Sequence, residues 1–380
     1  MPLTPLDRER LQEALALAET AFGVSEPNPR VGCVIGTADG RVLGRGATRR
    51  AGGPHAEVVA LRDAQDAGHD PAGATVWVTL EPCAHHGRTP PCCDALVAAR
   101  VGRVVVATID PFPRVAGAGI ARLRAAGIEV EMADAEAATA ARWQNIGFFS
   151  RVLRRRPWVR LKAAVSLDGR LALANGASRW ITGPEARADG HAWRRRAGAV
   201  LTGIGTVLAD DPRLDVRHVP TEVQPVRVVV DSALRLPPTA RLLAGPGRAI
   251  VATGVGAADP RARALASAGA ELVTLPGDGG RVDLGRLLET LAESGVNELH
   301  VEAGATLNGA LLGAGLVDEL LVYLAPRVLG GGPALGSFGP LQTVDEATPW
   351  SWLECSRVGA DLRMRAITEE PGSWMPPLQP

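Results

Sequence analysis

The segments Pro54-His55-Ala56-Glu57, Glu81-Pro82-Cys83 and Pro91-Cys92-Cys93-Asp94 place the tightest constraint on how this chain can fold. One histidine and two cysteines suit a tetrahedral zinc whose fourth position is left to water, so three separate turns must meet at one point. Water at such a metal has its pKa lowered towards about 7. Two thiolates roughly cancel the metal's charge, so a separate base is needed to move protons, and Glu57 is the candidate. His55 and Glu57 are two residues apart and would point to different sides of a helix. They converge only if the metal lies beyond that helix's N-terminus, and Pro54 sits where the first turn would begin. The competing reading is a structural zinc or a set of buried core cysteines. Cys93, Cys33 and Cys355 read as packed thiols.

Length sets the next constraint. A chain of 380 residues exceeds a comfortable single core, so two domains are expected. Asp7 is placed as the cap of a first helix with Leu11, Ala14, Leu15 and Ala18 on one stripe. Strands are predicted at 31–35, 41–44, 75–80, 103–110 and 128–130, with helices from His55 and from Pro90-Pro91. This alternation implies an α/β sandwich over 1–150. The basic, proline-ended run from Ser150 to Pro157 breaks the rhythm and marks the boundary. Its arginines could bind phosphate or nucleic acid, but a solvated linker is preferred. A second α/β domain over 157–367 follows, with strands at 158–165, 226–231, 249–253, 271–275, 297–302 and 317–324, and helices over 185–196 and after Asp283. Gly304 to Leu312 is a small-residue turn entering a helix, where backbone N–H groups can hold phosphates. The turn lacks the spacing of a Rossmann fingerprint. Residues 368–380, rich in proline, are expected to be a disordered tail.

Charge and cysteine usage exclude several classes. Basic and acidic side chains balance at 41 each, against a large nucleic-acid footprint. Five cysteines form no small-domain disulfide framework, which fits a reducing cytoplasm. No apolar span reaches membrane length, so no membrane partner is expected. A homo-oligomer acting on a small molecule is.

The pattern H-x-E, then P-C and a second cysteine, is the signature of zinc-dependent nucleobase deaminases, in which the glutamate moves protons without binding metal. Eight residues separate Cys83 from Cys92, where those enzymes commonly have two. The run from Glu81 through Ala84-His85-His86-Gly87-Arg88-Thr89-Pro90 to Asp94 closely resembles the deaminase half of the bifunctional riboflavin-biosynthesis deaminase/reductases. Lys162 to Gly169, Ser178 to Thr182, Thr206 to Pro212 and Val301-Glu302-Ala303-Gly304 resemble the reductase half of the same family. The resemblance spans about Leu6 to Ile367. It implies a cytidine-deaminase-like α/β/α sandwich followed by an α/β domain similar to dihydrofolate reductase. The first would remove the 2-amino group of a diaminopyrimidinone carrying a phosphoribosylamino group, and the second would use NADPH to reduce the ribosyl portion to ribityl.

By the same matching, His55, Cys83 and Cys92 hold one zinc per chain and Glu57 is the proton shuttle. Asn28, His85 and Arg88 lie near the deaminase substrate. Ala164, Trp180, Thr206, Asp210, Ser232 and the loop Gly304, Ala305, Thr306, Leu307, Asn308, Gly309 and Ala310 line NADPH. Ser178, Arg194, Leu214, Arg217 and Glu302 hold the reductase substrate, the arginines suiting its phosphate. Lys162, the only lysine in the chain, and Asp168 are placed near the reduced carbon. Without the match, Trp180 would read as core and Arg194 to Arg196 as a solvated helix face. Thr48 stands where relatives commonly have a histidine, seven residues before His55. Two other classes compete: a nucleic-acid base deaminase, and a zinc-stabilised nucleotide sensor without turnover.

Overall fold

The computed structural model describes residues 3–85, 90–112 and 115–376. They divide into two units, one formed by the chain up to Arg154 together with residues from Trp374, the other by Arg155–Ser373.

The first unit contains helices α1 (Pro5–Glu19), α2 (Ala56–Asp66), α3 (Cys92–Ala98), α4 (Ala118–Ala125), α5 (Ala135–Gln144) and α6 (Ile146–Arg154). Its strands β1 (Gly32–Gly36), β2 (Val42–Ala47), β3 (Thr75–Val78), β4 (Arg103–Val106) and β5 (Glu129–Met132) form one sheet in the order β2-β1-β3-β4-β5. The β1 strand is antiparallel to both neighbours, whereas β3, β4 and β5 run parallel. All four residues of β3 are buried, as a strand covered on both faces requires. Thr4, not Asp7, caps α1. Asp7 closes the capping box from the third helical position and is itself buried, accepting from Trp77 Nε1 at 2.8 Å and Arg103 Nη1 at 2.7 Å. Its helix-start pattern of Thr-x-x-Asp was present but read three residues late.

Glycines bring α2 onto the hairpin. A Cβ on Gly46 would lie 2.1 Å from the Ala56 carbonyl oxygen, and one on Gly44 would lie 2.2 Å from that of Ala60. Only a bare backbone permits this approach, and it sets the height of the first turn of α2 and so of His55. Gly46→Ala is therefore expected to cost about 1–3 kcal/mol through overpacking, read by thermal denaturation, and to lower deaminase activity. Unchanged stability would mean that the helix does not sit this close.

The second unit contains β6 (Trp158–Ser166), α7 (Pro184–Arg196), β7 (Ala199–Gly203), α8 (Ile204–Asp210), β8 (Val226–Val230), β9 (Ala249–Thr253), α9 (Pro260–Ser267), β10 (Ala270–Thr274), α10 (Leu284–Glu293), β11 (Glu298–Val301), α11 (Ala305–Gly313), β12 (Glu319–Ala325), β13 (Ser351–Val358) and β14 (Asp361–Ile367). The sheet order is β10-β9-β8-β7-β11-β6-β12-β14-β13, parallel from β10 to β12 and antiparallel at β14 and β13. The step from β6 to β7 leaves a gap that β11 later fills, so the C-terminal ends of these three strands border a topological switch point, where open α/β sheets bind ligands.

Strand parity divides β6. Val159, Leu161, Ala163 and Val165 join the apolar cluster that includes Leu287, Leu288 and Leu291 of α10. Arg160, of the opposite parity, lies beneath Trp193 of α7, its guanidinium carbon 4.5 Å from the ring centroid. It is completely buried, with Nη1 2.9 Å from Glu298 and Nη2 2.9 Å from Glu319. Arg196 and Arg365 close the network on Glu298 at 3.0 Å and Glu319 at 2.7 Å.

Three expectations are corrected. The run from Ser150 is not a linker at its start, since α6 carries it to Arg154. The tail is not disordered through its described part: β14 continues to Ile367, a 3-10 turn spans Pro371–Ser373, and Met375 is buried in the first unit. There Arg154 lies 4.8 Å over the ring of Trp374, and Arg142 Nη1 donates to the Pro376 carbonyl at 2.8 Å. Cys355 is exposed on edge strand β13, whereas Cys33 and Cys93 are packed.

Candidate functional site

In the first unit His55 is the N-cap of α2 and Cys92 opens α3, while Cys83 lies in the loop after β3. His55 Nδ1 is 3.2 Å from Cys92 Sγ and 3.6 Å from Cys83 Sγ. The three ligand atoms all lie within 4.8 Å of one another, a separation that a tetrahedral zinc with bonds of about 2.0–2.3 Å would span. The donor set and its spacing therefore fit the metal. Cys83 accepts the Cys92 backbone N–H at 3.3 Å. A hydrogen bond from the Cys92 thiol, joined by one from His55, outweighs burial and pulls the Cys83 thiol down, while Cys92, as the donor, is pushed up. Cys93 takes no part, its thiol donating to the carbonyls of Pro82 at 3.2 Å and Gly119 at 3.5 Å.

Glu57, in the first turn of α2, is buried at 3% exposure and lies outside the ligand cluster. Burial pushes its carboxyl up to about 7, with the Cys83 thiolate adding to the shift. A base near neutrality is what reversible proton transfer calls for. His55, Glu57 and Cys83 line a pocket of about 340 Å³ together with Pro27, Asn28, Thr48, Glu81, His85, Asp110, Phe112, Phe148 and Arg151. Asn28 and His85, expected near the deaminase substrate, both line this pocket, and Arg88 and His86 lie outside the described residues. Thr48 is buried on the wall, its hydroxyl accepting the Val31 N–H at 3.1 Å.

Sequence reading missed the other side of this pocket. Both Glu81 oxygens accept backbone N–H groups, from Gly119 at 2.8 Å, Gly117 at 2.9 Å, Ile120 at 3.2 Å and Asp110 at 3.3 Å, which pins the loop bearing Asp110 and Phe112. Burial raises Asp110 to about 7. The Asp-Pro pair at 110–111, at the end of a predicted strand, was the available signal.

In the second unit Glu302 follows β11 directly. Arg194 of α7 grips both its oxygens, Nη2 at 2.9 Å, and donates Nη1 to the Asp215 carbonyl at 2.8 Å. Burial would raise Glu302, but Arg194 and then Lys162 hold it well below the usual range. Lys162, on the same face of β6, has its own pKa lowered by burial, opposed by Glu302, and its Nζ is 5.8 Å from the Tyr323 ring centroid. Arg217 pairs with the Asp215 carboxylate at 2.8 Å, Arg213 shares that carboxylate at 2.7 Å, and Leu214 between them is buried with φ +54°. Ser178 is half-buried.

The residues expected on the cofactor side are placed as follows. Arg179 bonds Asp210 at 3.1 Å, which ties the residue before Trp180 to the end of α8, and Trp180 is 60% exposed, so it is not core. Arg187 lies 4.5 Å over the indole. Thr206 Oγ1 is 3.8 Å from where a Cβ on Gly304 would stand. Ala164 sits on β6 opposite Tyr323, and Ser232 Oγ accepts the Val282 N–H at 3.2 Å. Within the loop, Gly304 and Thr306 are exposed and Ala305, Leu307 and Ala310 half-buried. Asn308 and Gly309 instead face inward: Asn308 donates to the Leu335 carbonyl at 2.9 Å, and a Cβ on Gly309 would meet Ser337 O at 2.0 Å. Asp168 is a loop anchor, its oxygens accepting from Ser166 Oγ at 2.6 Å, Leu329 N at 3.0 Å and Gly330 N at 2.8 Å. Arg194 is likewise already neutralised by Glu302, which argues against it as the phosphate ligand.

The two units thus define a zinc-binding deaminase joined to a reductase. The cytidine and deoxycytidylate deaminase zinc-binding region matches residues 5–108, and the RibD C-terminal domain matches 157–363. The riboflavin biosynthesis protein RibD of Escherichia coli K12 is 43% identical over 378 residues, covering 95% of this chain and 99% of its own length. Among solved structures, Acinetobacter baumannii RibD superposes with a TM-score of 0.86 at 41% identity, covering 96% of this chain and 99% of that one. The Thermotoga maritima diaminohydroxyphosphoribosylaminopyrimidine deaminase/5-amino-6-(5-phosphoribosylamino)uracil reductase does so with a TM-score of 0.84 at 32% identity and the same coverage. This chain belongs to the RibD family of bifunctional deaminase/reductases of riboflavin biosynthesis.

Proposed function

We propose that the first unit hydrolyses the 2-amino group of 2,5-diamino-6-(5-phosphoribosylamino)pyrimidin-4(3H)-one, and that the second reduces the ribosyl group with NADPH to give 5-amino-6-(5-phosphoribitylamino)uracil. The observation that carries this reading is the convergence of His55, Cys83 and Cys92, two of which, His55 and Cys83, line one pocket with the buried Glu57. Zinc held by those three residues would supply the Lewis acid that makes hydroxide available near neutral pH. Glu57 takes one proton from the attacking water and gives it to the ring nitrogen, then takes the hydroxyl proton of the tetrahedral carbon and gives it to the amine, which departs as ammonia while the carbonyl forms. Asn28 and His85 orient the pyrimidine. In the second unit Glu302, fixed by Arg194, and Lys162 orient the sugar at the strand ends; Trp180, Thr206, Asp210, Ser232 and the exposed part of the Gly304 loop hold the dinucleotide. Arg217, which with Arg213 shares the single Asp215 carboxylate and so leaves a net positive charge, is the phosphate ligand of this half.

Cytoplasmic residence fits five unpaired cysteines, and among the described residues no helix is long and apolar enough to cross a membrane. Balanced charge supports a small-molecule partner over nucleic acid. Trp352, 71% exposed on edge strand β13, supports self-association.

Mass spectrometry of the diaminopyrimidine phosphate, first without and then with NADPH, tests both steps: deamination alone, then reduction on adding the cofactor. Cys83→Ser is expected to lose zinc and deamination while still reducing deaminated substrate. A variant dead in both reactions would refute independent sites.

A further inference from the structure

We infer that Arg151, on the last helix of the first unit, recognises the phosphate of the deaminase substrate, a role that rests on the function proposed above. The pocket onto which His55 and Cys83 open is also lined by three carboxyl groups, Glu57, Glu81 and Asp110. A dianionic phosphate entering among them meets repulsion unless a cation receives it. Among the described residues lining that pocket, Arg151 carries the one permanent positive charge.

Its setting is built. Arg151 Nη2 donates to the Pro27 carbonyl at 3.0 Å, next to Asn28 and Pro29 of the same wall, and its guanidinium carbon lies 5.5 Å over the ring of Phe148, which also lines the pocket. Glu26 is the acid whose field it feels, and that carboxylate is 3.6 Å from Arg30. A half-buried, planar fork held on two sides loses little freedom on gripping a phosphate. The neighbouring Arg154, Arg155 and Arg156 do not line the pocket: Arg154 stacks on Trp374, Arg156 bonds the Leu316 carbonyl and Asp318, and Arg155 is exposed. One member of a run that reads as a solvated linker is thus drawn into the site by helix α6.

The test compares deamination of the phosphorylated substrate with that of its dephosphorylated counterpart, in zinc-loaded full-length wild type, Arg151→Met and Arg151→Lys. Arg151→Met is expected to raise KM for the phosphorylated substrate by roughly 10- to 100-fold with kcat little changed. Activity on the dephosphorylated compound should match wild type, and Arg151→Lys should recover part of the loss. Reduction of deaminated substrate reports that the chain has folded. Equal losses on both compounds would show that Arg151 only braces the Pro27 turn, and overturn the assignment. So would unaltered discrimination, which would pass the role to Arg88. A wild type inactive on both compounds would overturn the proposed function instead, and this assignment with it.

Discussion

Glu57→Gln is expected to lower deaminase kcat by roughly 100- to 10,000-fold while zinc stays near one per chain and the reductase is untouched. The substitution keeps the side chain's shape in a site where it is 3% exposed, so α2 and its N-cap His55 stay in place. It also resembles the protonated carboxyl that burial favours here. What is lost is only the capacity to take a proton and give it back. Metal analysis beside steady-state kinetics separates this from a ligand's role: zinc loss would make Glu57 a ligand, and near-normal turnover would require another base.

The second large effect is on stability. Replacing Arg160 by Met should destabilise the reductase unit by about 3–5 kcal/mol, because Glu298 and Glu319 would lose the buried guanidinium between them. For a unit of this size that is a fall in Tm on the order of 10 °C. Adding Glu298→Gln and Glu319→Gln should restore much of the loss, since the penalty is unpaired buried charge; no recovery would argue that packing against Trp193 matters more. The network also has a pH signature. Burial pushes Glu319 up, but Arg160 and Arg365 outweigh it and hold the carboxyl at about 2. A depressed acid stabilises fully above its unfolded value of about 4.5 and loses that contribution as pH falls towards 2, so acid unfolding should set in across that window and should shift in Arg160→Met.

The metal cluster was legible because its signals are local. A proline before each helix start and the H-x-E and P-C pairs fix where His55, Cys83 and Cys92 can go, and even the demand that the metal lie beyond the α2 N-terminus could be reasoned from helix geometry. The walls of the pocket could not. Asp110, Phe148 and Arg151 enter by tertiary convergence, and a charged run before a proline looks the same whether it is solvated or turned inward. The core strand β7, Ala199–Gly203, was overlooked despite its apolar run, because it follows α7 almost without a loop. The β13–β14 hairpin was overlooked because its polar residues alternate with apolar ones on an edge where one face stays wet. Asp168 and Asn308 carry family motifs, yet the structure gives their polar atoms to neighbouring backbone. Sequence patterns mark such residues without saying which partner they serve.

The return of Trp374 to Pro376 onto the first unit bears on how the protein is made. During translation the deaminase sequence emerges first, but the segment that covers Arg142 and stacks on Arg154 follows only after all of Arg155–Ser373, a delay on the order of tens of seconds. The half that is synthesised first is therefore completed last, and a gene fragment cut at the boundary between the units would encode a deaminase lacking its closing piece.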